Sequence, residues 1–241
     1  MISIRNSPAS EASPHFAELP RQSRENNLAW LARAESKRRY ETQLILLGGR
    51  SAAHLRLRVA QSHARGDLTP SHWSHLLLSL DQALQHAYHI PLCDPGRNAF
   101  PPETNGVQEV ALKEYSDFRA YPNIAVISVP AKADAVQQAL DRFRHERAAM
   151  DAVELLVLWL AFLWGVGKAG NPLLDGQGIP SAAMAEYVLG AVGIDLTPGL
   201  GSRSSCPEAI WQSAKWWHTY HQREEGDPLT GAWTLGHKLV P

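Results

Sequence analysis

The residues best placed to do chemistry lie in Gly178-Ile179-Pro180-Ser181-Ala182-Ala183-Met184-Ala185-Glu186, where a loop enters an apolar helix. Pro180 resists helix, Ser181 is a good N-cap, and the helix formers from Ala182 to Val192 predict a helix that stops at Gly193. A side chain at such an end meets unpaired N–H groups and the positive pole of the helix dipole. That environment suits an anion, or a nucleophile that must become one, and it suits a plain cap equally well. Cys206, just before Pro207 and Glu208, also lies at a helix start and is a second candidate nucleophile. Cys93 falls between a strand and a turn and reads as structural.

A histidine-rich stretch calls for a metal test. His63, His72, His75, His86 and His89 lie close in sequence, ahead of Cys93. No pair has helical ligand spacing around a glutamate and no cysteine pair accompanies them, so no metal site is expected. Gly48-Gly49-Arg50 lacks phosphate-loop spacing, and no cofactor motif is present. His218 and His221, beside Trp216 and Trp217, fit a packed amphipathic helix.

The positioning elements follow from patterning. Residues 1–24, rich in Ser, Pro and Glu, read as a flexible N-terminal arm. Asn26 to Tyr40 reads as a helix with Leu28, Leu31 and Ala32 on one face, and Lys37-Arg38-Arg39 as its solvated side. Gln43 to Leu47 is a short apolar run. Leu55-Arg56-Leu57-Arg58-Val59 alternates and predicts a strand with one wet face. Trp73 to Leu80, Tyr88 to Leu92, Val107 to Leu112 and Asn123 to Val129 complete an antiparallel set. Helices are expected over Ala131 to Ala149, Asp151 to Trp164 and Pro207 to about His221, with an irregular tail over 223–241. Strands followed by helices argue for an α+β fold, an antiparallel sheet packed against helices.

Composition narrows the class. A hydrophobic fraction of 44% with 20% charged residues is that of a soluble globular protein. A net charge of −1 gives no field to recruit nucleic acid, so no nucleic-acid partner is expected. Two cysteines fit a reducing compartment, and the first residues show no basic region followed by an apolar run, so no secretory signal is expected. The expectation is a cytoplasmic chain, or one exported without a cleavable signal. Val153 to Trp164 is the most apolar stretch, yet too short for a transmembrane segment of roughly 20 residues.

Together these residues resemble the circularly permuted papain-like amidases of the NlpC type. Ser74-His75 opening an apolar strand, with Gly66-Asp67 before it, is similar to that family's early histidine motif. Val107 to Val129, with Tyr115, Tyr121 and Pro122, is similar to the strand pair that follows. Gly193-Ile194-Asp195-Leu196 and Cys206-Pro207-Glu208 are similar to its late motif, and counting back from Gly193 puts Ser181 where the family has cysteine. The likeness spans roughly Leu55 to Trp217, within a domain over 25–222.

The resemblance implies a papain-like hydrolase or acyltransferase that cleaves an amide or ester bond through a covalent intermediate. Ser181 would be the nucleophile, His75 the general base and Asn98 the group orienting it, with Glu103 and Glu109 as alternatives for the last role. Peptidoglycan peptides are the leading substrate class and lipid acyl groups the next. Serine in place of cysteine departs from the family, because a hydroxyl is far less acidic than a thiol. The competing reading is a catalytically inactive fold that binds a protein or ligand, with Trp211, Trp216, Trp217 and Trp233 as contact residues.

Overall fold

The structure is a computed structural model that describes residues 16–92, 101–148, 150–221 and 229–237. It is an α+β fold: a seven-stranded sheet, antiparallel except at one edge, with six helices. The strands are β1 (Phe16–Glu18), β2 (Thr42–Gly48), β3 (His75–Ser79), β4 (His86–His89), β5 (Gln108–Ala111), β6 (Asn123–Val129) and β7 (Thr230–Leu235). Their spatial order is β1-β7-β6-β2-β3-β4-β5, and only the β1–β7 pair is parallel. The helices are α1 (Asn27–Arg33), α2 (Ala52–Ala60), α3 (Ala133–His145), α4 (Ala152–Trp164), α5 (Pro180–Gly190) and α6 (Pro207–His221).

The short apolar run of β2 is buried along its whole length because both faces of the sheet are covered. Side chains alternate across a strand, so each central strand feeds two cores. Leu44 and Leu46 of β2, with Leu76 and Leu78 of β3, join a large cluster that takes in residues of α2, α3, α4, α5 and α6. Ile45, Leu47 and Leu77 point the other way, into a smaller cluster under Trp30 and Leu31 of α1. The two faces are hereafter the α5 face and the α1 face.

Three expectations are corrected. Leu55 to Val59 lies within helix α2, whose N-cap Ser51 accepts from the His54 N–H at 3.4 Å. Its leucine–arginine alternation misled because Arg58 is fully buried, donating to the Ser71 carbonyl at 2.7 Å. The tail contains a strand: β7 lies beside β6 in antiparallel register, with Val126 opposite Ala232. Within the N-terminal arm, β1 docks on β7, and the Phe16 ring sits 5.5 Å from Trp211 and 4.8 Å from Trp233. A three-residue strand has no pattern of its own to read; it is held by its neighbours. Residues 1–15, 222–228 and 238–241 lie outside the described residues.

Candidate functional site

Helix α5 is anchored at its N-terminus from two sides. The Ile179 N–H donates to the Ser205 carbonyl at 2.9 Å and the Gly178 N–H to the Arg203 carbonyl at 2.7 Å. Trp159 of α4 donates its indole N–H to the Gly178 carbonyl at 2.6 Å. Gly178 is the residue this approach permits, since an added Cβ would lie 2.3 Å from the Ser205 carbonyl oxygen. These bonds fix where Ser181 enters the core.

Ser181 is not the cap. Ile179 occupies the N-cap position and makes no side-chain bond there, and Pro180 takes the first turn. The Ser181 hydroxyl is fully buried, donates to the Ile90 carbonyl at 2.8 Å and accepts from the Ile90 N–H at 3.1 Å. It thus satisfies both polar groups of a residue that follows β4 directly, where the ladder has ended. Its proton rests on a peptide oxygen.

His75 begins β3 in the row that includes Leu77, on the α1 face. Its Nε2 lies 2.8 Å from Nδ1 of His89, and the Tyr115 hydroxyl lies 3.2 Å from the same His89 nitrogen. The rings of His75 and His89 meet edge to face at 5.1 Å. Burial first, and the neighbouring rings of His89 and His54 second, hold the His75 imidazolium well below the usual range, so the ring is neutral. One ring donates and the other accepts.

The structure therefore gives Ser181 and His75 different partners. Those partners are successive residues: His89, the last of β4, lies in the row of Ala87 on the α1 face, whereas Ile90, just beyond the strand, packs on the α5 face. Toward α5, the strand β3 presents Leu76 and Leu78. His89 and Tyr115, both noted in the sequence, are the partners that sequence reading did not assign to His75. Pairing of β3 with β4 brings His89 up to His75, and no local signal reports that pairing.

The other candidates are scattered. Asn98 and Cys93 lie outside the described residues. Glu103 is exposed on a short turn, and Glu109 faces solvent on β5, where it lies 3.3 Å from His86. Cys206 is buried, and that burial pushes its thiol up to about 12, which removes the thiolate a nucleophile needs. Among the described residues, no three His, Cys, Asp or Glu side chains converge as a metal cage. Of the tryptophans, Trp211 is core, whereas Trp216 is 56% exposed and stacks on Tyr220 at 5.2 Å.

A second feature on the α5 face is an apolar cleft of about 310 Å³. Leu44, Ile127, Ile194, Leu196, Ile210 and Trp217 are among the residues that line it. Its lining is suited to a hydrophobic group. Comparison with known proteins gives no further guide: no family model, no curated protein and no solved structure matches the chain.

Proposed function

We propose that this chain is a catalytically silent α+β binding domain, in which the nucleophile position of a papain-like arrangement has become a structural contact. The observation that carries this reading is the Ser181 hydroxyl, fully buried and bonded to both polar groups of Ile90. A serine nucleophile needs a base within hydrogen-bond reach, roughly 2.6–3.2 Å, to take its proton. Here a carbonyl that cannot act as a base holds that proton. His75, the base the triad requires, spends its Nε2 on His89. The apolar cleft beside α6 supports the binding role, taking a hydrophobic group of a ligand or partner.

One observation favours the hydrolase reading: Ser181 contacts the residue next to His89, so nucleophile and imidazole pair are separated by one position of β4. An enzyme of that kind would act on peptidoglycan peptides or lipid acyl esters. Turnover of cell-wall fragments and of short-chain esters, by the native chain and by Ser181→Cys, distinguishes the two. The silent reading expects none from either protein. Turnover by the native chain, or a gain on introducing the thiol, overturns it.

A further inference from the structure

Helix α4 is more apolar than its burial explains. Leu155, Leu156 and Trp159 are buried, but Val157 is 59% exposed, Leu158 39%, Trp164 78% and Val166 63%. The helix ends at Gly165, whose left-handed φ of 66° turns the chain outward. Beyond it the loop stands clear: a Cβ added at Gly167 or Gly170 would meet nothing within 4 Å. The result is a projecting tip, Trp164-Gly165-Val166-Gly167-Lys168, continuous with an apolar helix face.

The charges next to the tip are positive; Asp175, exposed on the turn that contacts α4, is the next carboxylate along the chain. Lys168 is the only charged residue between Glu154 and Asp175, and Glu154 is neutralised by Arg203 at 2.6 Å. The helix packed beside it, α2, carries Arg56 and no carboxylate. Arg56 donates to the Leu163 carbonyl at 2.8 Å, and its guanidinium lies 5.2 Å from the centre of the Phe162 ring. Cations thus flank an exposed tryptophan and aliphatic side chains. No helix among the described residues is long and apolar enough to cross a membrane.

From these features we infer that the outer face of α4 and the Trp164–Lys168 tip dock on an anionic phospholipid surface. Trp164 and Val166 enter the headgroup boundary, Val157 and Leu158 lie along it, and Lys168 and Arg56 meet lipid phosphates. Aromatic rings with flanking cations are the side chains that favour this interface. A second copy of the chain would bury the same apolar surface but gives Lys168 and Arg56 no anionic counterpart. Docking stands whether or not Ser181 is silent, because it uses none of the residues around that serine.

The test is flotation of the full chain with phosphatidylcholine vesicles, with and without about 30% phosphatidylglycerol. The native chain is expected to float with the anionic vesicles, and less so as salt rises. Trp164→Ala and Val166→Asp should each weaken this by at least about tenfold, and Lys168→Glu by about fivefold or more. Lys113→Ala, an exposed cation that follows β5, should leave it unchanged. Lys168 lies in the open loop, so its variant keeps the test valid if a tip variant misfolds. Failure of the native chain to float, equal flotation with neutral vesicles, or variants that float like the native chain would overturn the inference. So would a dimer in light scattering that Trp164→Ala dissolves without any vesicle binding.

Discussion

The two faces of the sheet hold their polar groups in different ways. On the α5 face, the Ser181 hydroxyl bonds a peptide group, and Glu186 accepts from the Thr197 N–H and hydroxyl, both at 2.9 Å. These bonds lie inside a close-packed apolar cluster. On the α1 face, His75, His89 and Tyr115 form a buried chain of hydrogen-bonded rings, in which burial holds the His75 ring neutral. The first face sets its polar groups within apolar packing, and the second sets a pair of imidazoles against each other. A nucleophile and its base need a common face, and here they are divided between these two settings.

The largest effect that would test this contrast comes from packing. Trp159 is fully buried on the α5 face and anchors Gly178, so Trp159→Ala should cost about 3–5 kcal/mol in urea unfolding. The account expects that loss to be the same at neutral and mildly acid pH. A loss that appeared only in acid would blur the two faces.

Acid should act through the buried rings. His54, whose Nδ1 lies 2.9 Å from the Ser74 hydroxyl, is lowered to about 4, first by burial and then by Arg58; His75 is lowered well below its usual range. Both folded values lie below the unfolded value of about 6.5. The stability they contribute is therefore complete above about pH 6.5. It falls as pH drops toward about 4 for His54, and further still for His75. Each ring adds a slope of up to about 1.4 kcal/mol per pH unit. Unfolding midpoints measured across this window should shift steadily, and His54→Gln should flatten the upper part. A flat profile in the native chain would remove the imidazole half of the comparison.

Ser181→Ala leaves the Ile90 N–H and carbonyl without their partner in a buried site, at an expected cost of about 1–3 kcal/mol. Denaturant unfolding checks it, and a neutral result would mean that the serine is not the structural contact described. The smallest effect belongs to His86 and Glu109, 3.3 Å apart with both side chains more than half exposed. Glu109→Ala should change the same unfolding midpoint by no more than about 0.5 kcal/mol.

Much of the architecture was legible. The apolar runs of β3 and β6, the apolar helix expected over Asp151 to Trp164, and Pro207 opening α6 each carried a local signal that the structure follows. What failed was settled at long range. Leu55 to Val59 alternates like a strand, yet lies in a helix whose Arg58 is buried and partnered by Ser71 and His237. Strand β7 exists because β6 has an open edge to fill. In the site, sequence order placed a histidine early and a serine late, but it carried no information on which strand face each would meet. The His75–His89 pair depends on two strands side by side, and the Ser181–Ile90 bonds on a strand end and a helix end meeting across 91 residues.

The most direct test of the central claim is reaction of the folded native chain with a fluorophosphonate, read by intact mass and peptide mapping. A serine activated by an imidazole is phosphonylated by such a reagent, and one whose proton is held by a buried carbonyl is not. The account predicts no adduct at Ser181 in the folded chain. A stoichiometric adduct at Ser181 that disappears in His75→Ala would contradict it.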